Sequence, residues 1–215
     1  MEFITCLFDL DGTLFDSQQQ IISSVNFVRT QNNLVPLSSE FIKKKIGLPA
    51  IVFFNDLDIK ESNKNKLVQN FRSRLKIEAQ EENKVFPGVY ELLQAFKLNG
   101  VRLCVATNKP TDLAIWTVEN SELSGLFSHI QGLEDFQPKP HPDVILKCLT
   151  HDRSKIRFMF GDRVEDMEAS VLANVQGVGI AQSCHTELDL LNAGAKYTFP
   201  SFKMSDNIKK IVLSN

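Results

Sequence analysis

At 215 residues the chain exceeds one modal domain but falls short of two large ones, which suits a core carrying an insertion. Its 43% hydrophobic content is ordinary for a soluble globular protein, and no apolar run reaches the roughly 18 residues a membrane helix needs. The near-balance of 26 acidic and 24 basic residues, with no basic cluster interleaved with aromatics, argues against a nucleic-acid partner; with no charged-then-apolar leader at Met1, a cytoplasmic protein is expected.

The first predicted element is a buried parallel strand over residues 3–8, which runs into Asp9-Leu10-Asp11-Gly12-Thr13. Two carboxylates one residue apart thus fall at the carboxyl end of a strand, where ligands bind in open α/β sheets. Alone, an Asp-Gly pair there reads equally as turn chemistry. Residues 17–86 then show helical spacing: Ile21, Ile22, Val25, Phe27 and Val28, next Phe41, Ile42 and Ile46, next Leu67, Val68, Phe71 and Leu75. This stretch holds 11 Lys and Arg against 7 Asp and Glu, a net +4 that leaves −6 on the rest. A basic segment over an acidic core favours small anions, and Lys43, Lys44 and Lys45 are candidates for attracting them; a solvated helix face is the competing reading.

From residue 87 strands and helices alternate. Helical patterns cover Val89 to Leu98, Thr111 to Glu119, Pro142 to Thr150, Val164 to Ala173 and Thr186 to Asn192. Strands are predicted near 101–106, 127–131, 156–160 and 175–180, with a short piece at 196–199. The expected class is α/β, a Rossmann-like parallel sheet with helices on both faces and an inserted helical segment. Chemistry-bearing groups follow several of these strands: Thr107-Asn108-Lys109, Lys139 in a proline-stiffened loop, and Gly161-Asp162-Arg163-Val164-Glu165-Asp166. Asp162 and Asp166, four apart at a helix start, can face one side, although Asp166 also fits a first-turn acid favoured by the helix dipole. Thr107 and Asn108 could equally cap the helix beginning near Thr111. Cys6, Cys104, Cys148 and Cys184 form no CxxC pair, so reduced thiols are expected. His129, His141, His151 and His185 show no metal-ligand spacing.

Taken in order, Asp9-Leu10-Asp11-Gly12-Thr13, the strand ending in Thr107, the Lys139-Pro140 loop and the Asp162 to Asp166 stretch resemble the four motifs of the haloacid dehalogenase superfamily, and more narrowly its phosphoglycolate phosphatase-like branch. The resemblance implies a catalytic core of residues 1–16 and 87–215 and a helical cap of residues 17–86. It implies hydrolysis of a small phosphorylated metabolite through an aspartyl phosphate, with Asp9 as nucleophile and Asp11 as general acid, later general base. Lys139 would neutralise phosphoryl charge, and Leu10, Thr107 and Asn108 would contact the phosphoryl group. Mg²⁺ would be held by Asp9, Asp11 and Asp162, with Asp166 in or near its outer shell. A monomer or a homodimer fits equally. Alternatives are a phosphomutase of the same superfamily, against which Gly47-Leu48-Pro49-Ala50 lacks an arginine, and a phosphate-binding regulatory protein without turnover. Arg163 stands where Ser or Thr is commoner in this branch, which bears on the neighbourhood of the metal.

Overall fold

The computed structural model describes residues 3–57, 59–81 and 83–214; Met1, Glu2, Asp58, Glu82 and Asn215 lie outside them. Six strands form one parallel sheet: β1 (Ile4–Phe8), β2 (Arg102–Pro110), β3 (His129–Leu133), β4 (Ile156–Gly161), β5 (Gln176–Ile180) and β6 (Tyr197–Phe199). Their order is β3-β2-β1-β4-β5-β6. The chain moves outward in opposite directions from β1, so the crevice at the carboxyl ends of β1, β2 and β4 is the switch point where ligands bind in such sheets.

Side chains alternate across the sheet and build two cores. Cys6 and Phe8 of β1, Leu103 and Val105 of β2, and Phe158 and Phe160 of β4 face one side. There they meet α4 (Val89–Leu98), α5 (Thr111–Glu119) and α9 (Ser205–Leu213). Phe8 and Phe160 stack with ring centres 4.6 Å apart on neighbouring strands. Leu7, Cys104, Ala106 and Met159 face the other side, against α6 (Asp143–Cys148) and α7 (Val164–Leu172). A short helix α8 (Glu187–Asn192) covers the β5–β6 end. Burying a large apolar side chain contributes about 1.5–3 kcal/mol, so β1, covered on both faces, is held firmly behind Asp9.

Between β1 and α4 lie α1 (Gln18–Gln31), α2 (Ser39–Lys45), a 3₁₀ turn (Ala50–Phe54) and the long α3 (Glu61–Glu81). They share a core of Ile22, Val25, Ile42, Phe54, Phe71 and Leu75 among others. Arg29 is buried in it, satisfied by the Asp56 carboxylate at 2.7 and 3.0 Å and by the carbonyls of Val35 and Phe53. The chain enters and leaves this segment side by side, since Phe15 and Val85 form an antiparallel bridge and Asp16 N–H donates to Lys84 O at 2.9 Å.

Three expectations needed adjusting. β2 runs past residue 106 to Pro110, through a register shift against β3. β3 begins at His129, two residues later than its apolar pattern suggested. Phe27 and Phe41 are 45% and 43% exposed, because their angular positions on α1 and α2 fall outside the buried stripe; Phe53 and Phe54 are buried.

Candidate active site

The loop after β1 is wound tightly: Leu10 O accepts from the N–H groups of Thr13, Leu14 and Phe15 at 3.2, 2.9 and 3.0 Å. Gly12 has φ +89°, and a Cβ there would stand 2.6 Å from Asp162 Oδ2, so glycine is what allows the two loops to touch. Thr13 Oγ1 donates to Asp162 Oδ1 at 2.7 Å. Asp9, Asp162 and Asp166 are buried, and each offers an oxygen within 4.8 Å of the others. Lys139 reaches into this group: its Nζ donates to Asp9 Oδ1 at 2.7 Å, to Asp166 Oδ1 at 2.5 Å and to Ala106 O at 3.0 Å. The Lys139 loop is fixed by Asn108, whose Oδ1 accepts from Lys139 N–H at 2.9 Å.

Three buried carboxylates face one ammonium, and the imbalance shows in their proton affinities. Burial, with the negative charges of Asp166 and Asp9 added, pushes Asp162 up to about 7. Burial also pushes Asp9 up to about 6; Lys139 opposes the rise and Asp166 adds to it. Burial alone would lower Lys139, but Asp166 and Asp9 hold it charged and raise it. Negative charge in excess of its partners, offered entirely by carboxylate oxygens, is the donor set of a hard divalent cation. The acidic cluster can therefore bind a metal ion.

Of the other expected residues, Thr107 is buried and accepts from Lys109 N–H at 3.3 Å; helix α5 starts after Pro110 without any side-chain cap, so Thr107 does not cap it. Leu10 buries its side chain in the sheet core, which leaves only its backbone for a ligand. Asp166 fills both roles considered for it, since it belongs to the carboxylate cluster and its Oδ2 accepts from Arg163 N–H at 3.2 Å in the first turn of α7. Lys43, Lys44 and Lys45 lie at the solvated end of α2 and line no part of the cleft beside Asp11, in keeping with a solvated face.

Two residues gain roles that the sequence did not reveal. Lys109 donates to both carboxylate oxygens of Asp11 at 2.8 Å, with both side chains buried. Its place in Thr107-Asn108-Lys109, directly after an apolar run, was the available signal. Arg163 turns away from the carboxylates toward the helical segment: Nη1 donates to Ile46 O at 2.7 Å and Lys44 O at 3.4 Å, while Glu165 takes the other edge at 3.0 Å. Gly47 makes room for it, with φ +86° and a would-be Cβ 2.5 Å from Arg163 Cδ. Asn108 Nδ2 adds a bond to Gly47 O at 3.0 Å, so the turn after α2 is tied to the edge of the site.

A doubly wound parallel sheet that gathers an acidic pair, a lysine and a second acidic pair at its switch point is the core of a Rossmann-like α/β enzyme whose site is built from carboxylates. Residues 6–180 match the haloacid dehalogenase-like hydrolase family, and the chain belongs to it. Similar proteins include the phosphoglycolate phosphatase of Caulobacter vibrioides, 30% identical over 92% of this chain and 87% of that one. The pyrophosphatase PpaX of Oceanobacillus iheyensis is 30% identical over 85% and 86% of the two chains. A crystal structure described as a predicted phosphatase from Clostridium acetobutylicum superposes with a TM-score of 0.85 at 29% identity, each chain covered fully. Within its family the chain stands with the phosphatases.

Proposed function

We propose that the protein is a Mg²⁺-dependent phosphatase of small phosphorylated metabolites that works through an aspartyl phosphate on Asp9. The observation that carries this reading is the Lys139 ammonium bridging Asp9 and Asp166 inside a three-carboxylate cluster. Mg²⁺, held by Asp9, Asp162 and the backbone carbonyl of Asp11 with Asp166 close by, would neutralise phosphoryl oxygens. Asp9 Oδ attacks phosphorus, and the bond from phosphorus to the leaving oxygen breaks. Asp11 gives that oxygen its proton. Asp11 then takes a proton from water, whose oxygen attacks the phosphorus, frees inorganic phosphate and restores Asp9. Lys139 holds Asp9 in line and, with Thr107 and the backbone N–H groups of Leu10 and Asn108, binds the phosphoryl oxygens.

Residues 17–86 act in this reading as a cap that excludes water, with its hinges at 15–17 and 85–88. The free thiols Cys6, Cys104 and Cys148, all buried, and the exposed Cys184 suit a reducing cytoplasm. The test is phosphate release from 2-phosphoglycolate and aryl phosphates with and without Mg²⁺, together with trapping of the adduct by mass spectrometry. A phosphate-binding protein without turnover would release nothing, and a phosphomutase would require a bisphosphate activator. Turnover that persists in Asp9→Asn overturns the proposal.

A further inference from the structure

Besides the carboxylate cluster, Asp11 borders a second space. A narrow cleft, with about 40 Å³ of room for the centres of water-sized molecules, opens beside it between the sheet and the helical segment. Its walls are mostly apolar, with Ile21, Ile46, Phe53 and Leu75 among them, and its charged lining groups are Asp11, Lys109 and Arg72. Arg72 comes from the middle of α3, four residues after the buried Val68 and therefore on the row beside the helix's buried stripe.

Arg72 differs from the other arginines. Among the described residues, every other buried or half-buried arginine has a carboxylate partner: Arg29 has Asp56, Arg74 has Glu78, Arg102 and Arg157 share Asp152, and Arg163 has Glu165. Arg72 is half-buried, and its Nε is wholly buried with no hydrogen-bond partner. Leaving such a donor unmet costs about 1–3 kcal/mol, more for a charged group. The acid lining the same cleft is not its partner: Asp11 is paired with Lys109 through both oxygens, and Arg72 makes no ion pair with it. One negative and two positive charges leave the cleft one positive charge in excess.

We infer that Arg72 is a specificity-determining residue that receives a single carboxylate carried by the leaving group of the substrate. This rests on the proposed phosphatase reaction, in which Asp11 meets the leaving oxygen; the cleft that Asp11 lines is then where the leaving group lies. A planar guanidinium with a free edge matches a carboxylate, and one spare positive charge matches a monoanion better than a second phosphate dianion. The apolar walls and modest volume suit a short carbon chain. Rejection of uncharged analogues follows, since they would leave Arg72 unmet.

The test compares 2-phosphoglycolate with its amide, 2-phosphoglycolamide, which keeps the shape and removes the charge. In wild type kcat/KM favours the acid by about tenfold or more, the scale of one charge-assisted hydrogen bond. In Arg72→Met that ratio collapses toward one, chiefly through KM for the acid, and Arg72→Lys restores part of it. A wild-type ratio near one, or an Arg72→Met ratio equal to that of wild type, overturns the inference. Calorimetric binding of the inert analogues 3-phosphonopropionate and its amide reads the same preference without turnover. If no ester is hydrolysed, the phosphatase reading falls by itself. Calorimetry then decides the inference alone: an acid preference lost in Arg72→Met sustains it, and one unchanged in that variant overturns it.

Discussion

The two ends of β1 and its neighbour β4 carry buried acids in opposite circumstances. At the amino end the Asp152 side chain, 3% exposed, is met by Arg102 and Arg157 at 3.0 Å and by the hydroxyls of Thr5 and Ser154 at 3.1 and 3.0 Å. Burial alone would raise Asp152, but the bonds from Ser154, Arg102 and Thr5 outweigh it and hold the carboxyl below its usual range. At the carboxyl end burial raises Asp9 and Asp162, and the neighbouring acids, which one lysine does not balance, add to the rise. The first arrangement is complete in the folded chain and contributes stability. The second is incomplete, and its excess of negative charge is what a cation would meet.

This contrast breaks if mutations at the two ends behave alike. Asp9→Asn is expected to lower kcat by about 10³-fold or more while Tm holds or rises, since one of three crowded charges is removed; phosphate-release assays and thermal melts check both halves. Millimolar Mg²⁺ should raise Tm by several degrees in wild type and have little effect in Asp162→Asn, by mass action on the folded state. Asp152→Ala should cost about 2 kcal/mol in urea unfolding and leave kcat unchanged, the figure discounted because both arginines are a third exposed. Because the Asp152 pKa is lowered by folding, its stabilisation is present above about pH 4 and disappears as pH falls through its own lower value. Acid unfolding of Asp152→Asn should accordingly be flatter than that of wild type below pH 4. The smallest effect is expected for Arg163→Thr, a loss of about 1 kcal/mol with a few-fold rise in KM, as the turn after α2 loses its bonds to Arg163; steady-state kinetics reads it.

The sheet and the carboxylate cluster were legible because each signal is local. Gly88, the Asn99-Gly100 pair and Pro110 punctuate the chain, so α4 and α5 fall at their expected limits. Asp9, Lys139, Asp162 and Asp166 each follow a strand or stiffened loop whose position the parallel order dictates. Helix α9 was missed because Asp206, Lys209 and Lys210 dilute a pattern whose fully buried members are only Ile208 and Val212. The start of β3 was misjudged because His129 and Gln131 make an edge strand too polar to announce itself. Arg72 was out of reach for another reason: its meaning comes from which charges remain unmatched once α3 and the end of β2 line one cleft, and no sequence window contains that sum.

The adjacent crossings at Phe15 and Val85 have a consequence for how such a molecule can change. Their backbones are bridged, so the intervening helices hang from two points about 5 Å apart. Excising the loop and joining its stumps with a tight turn would keep every sheet strand and its register. If those helices choose the substrate, as the proposed role of Arg72 has it, selectivity can be rewritten in one exon-like block while the carboxylate cluster is inherited untouched.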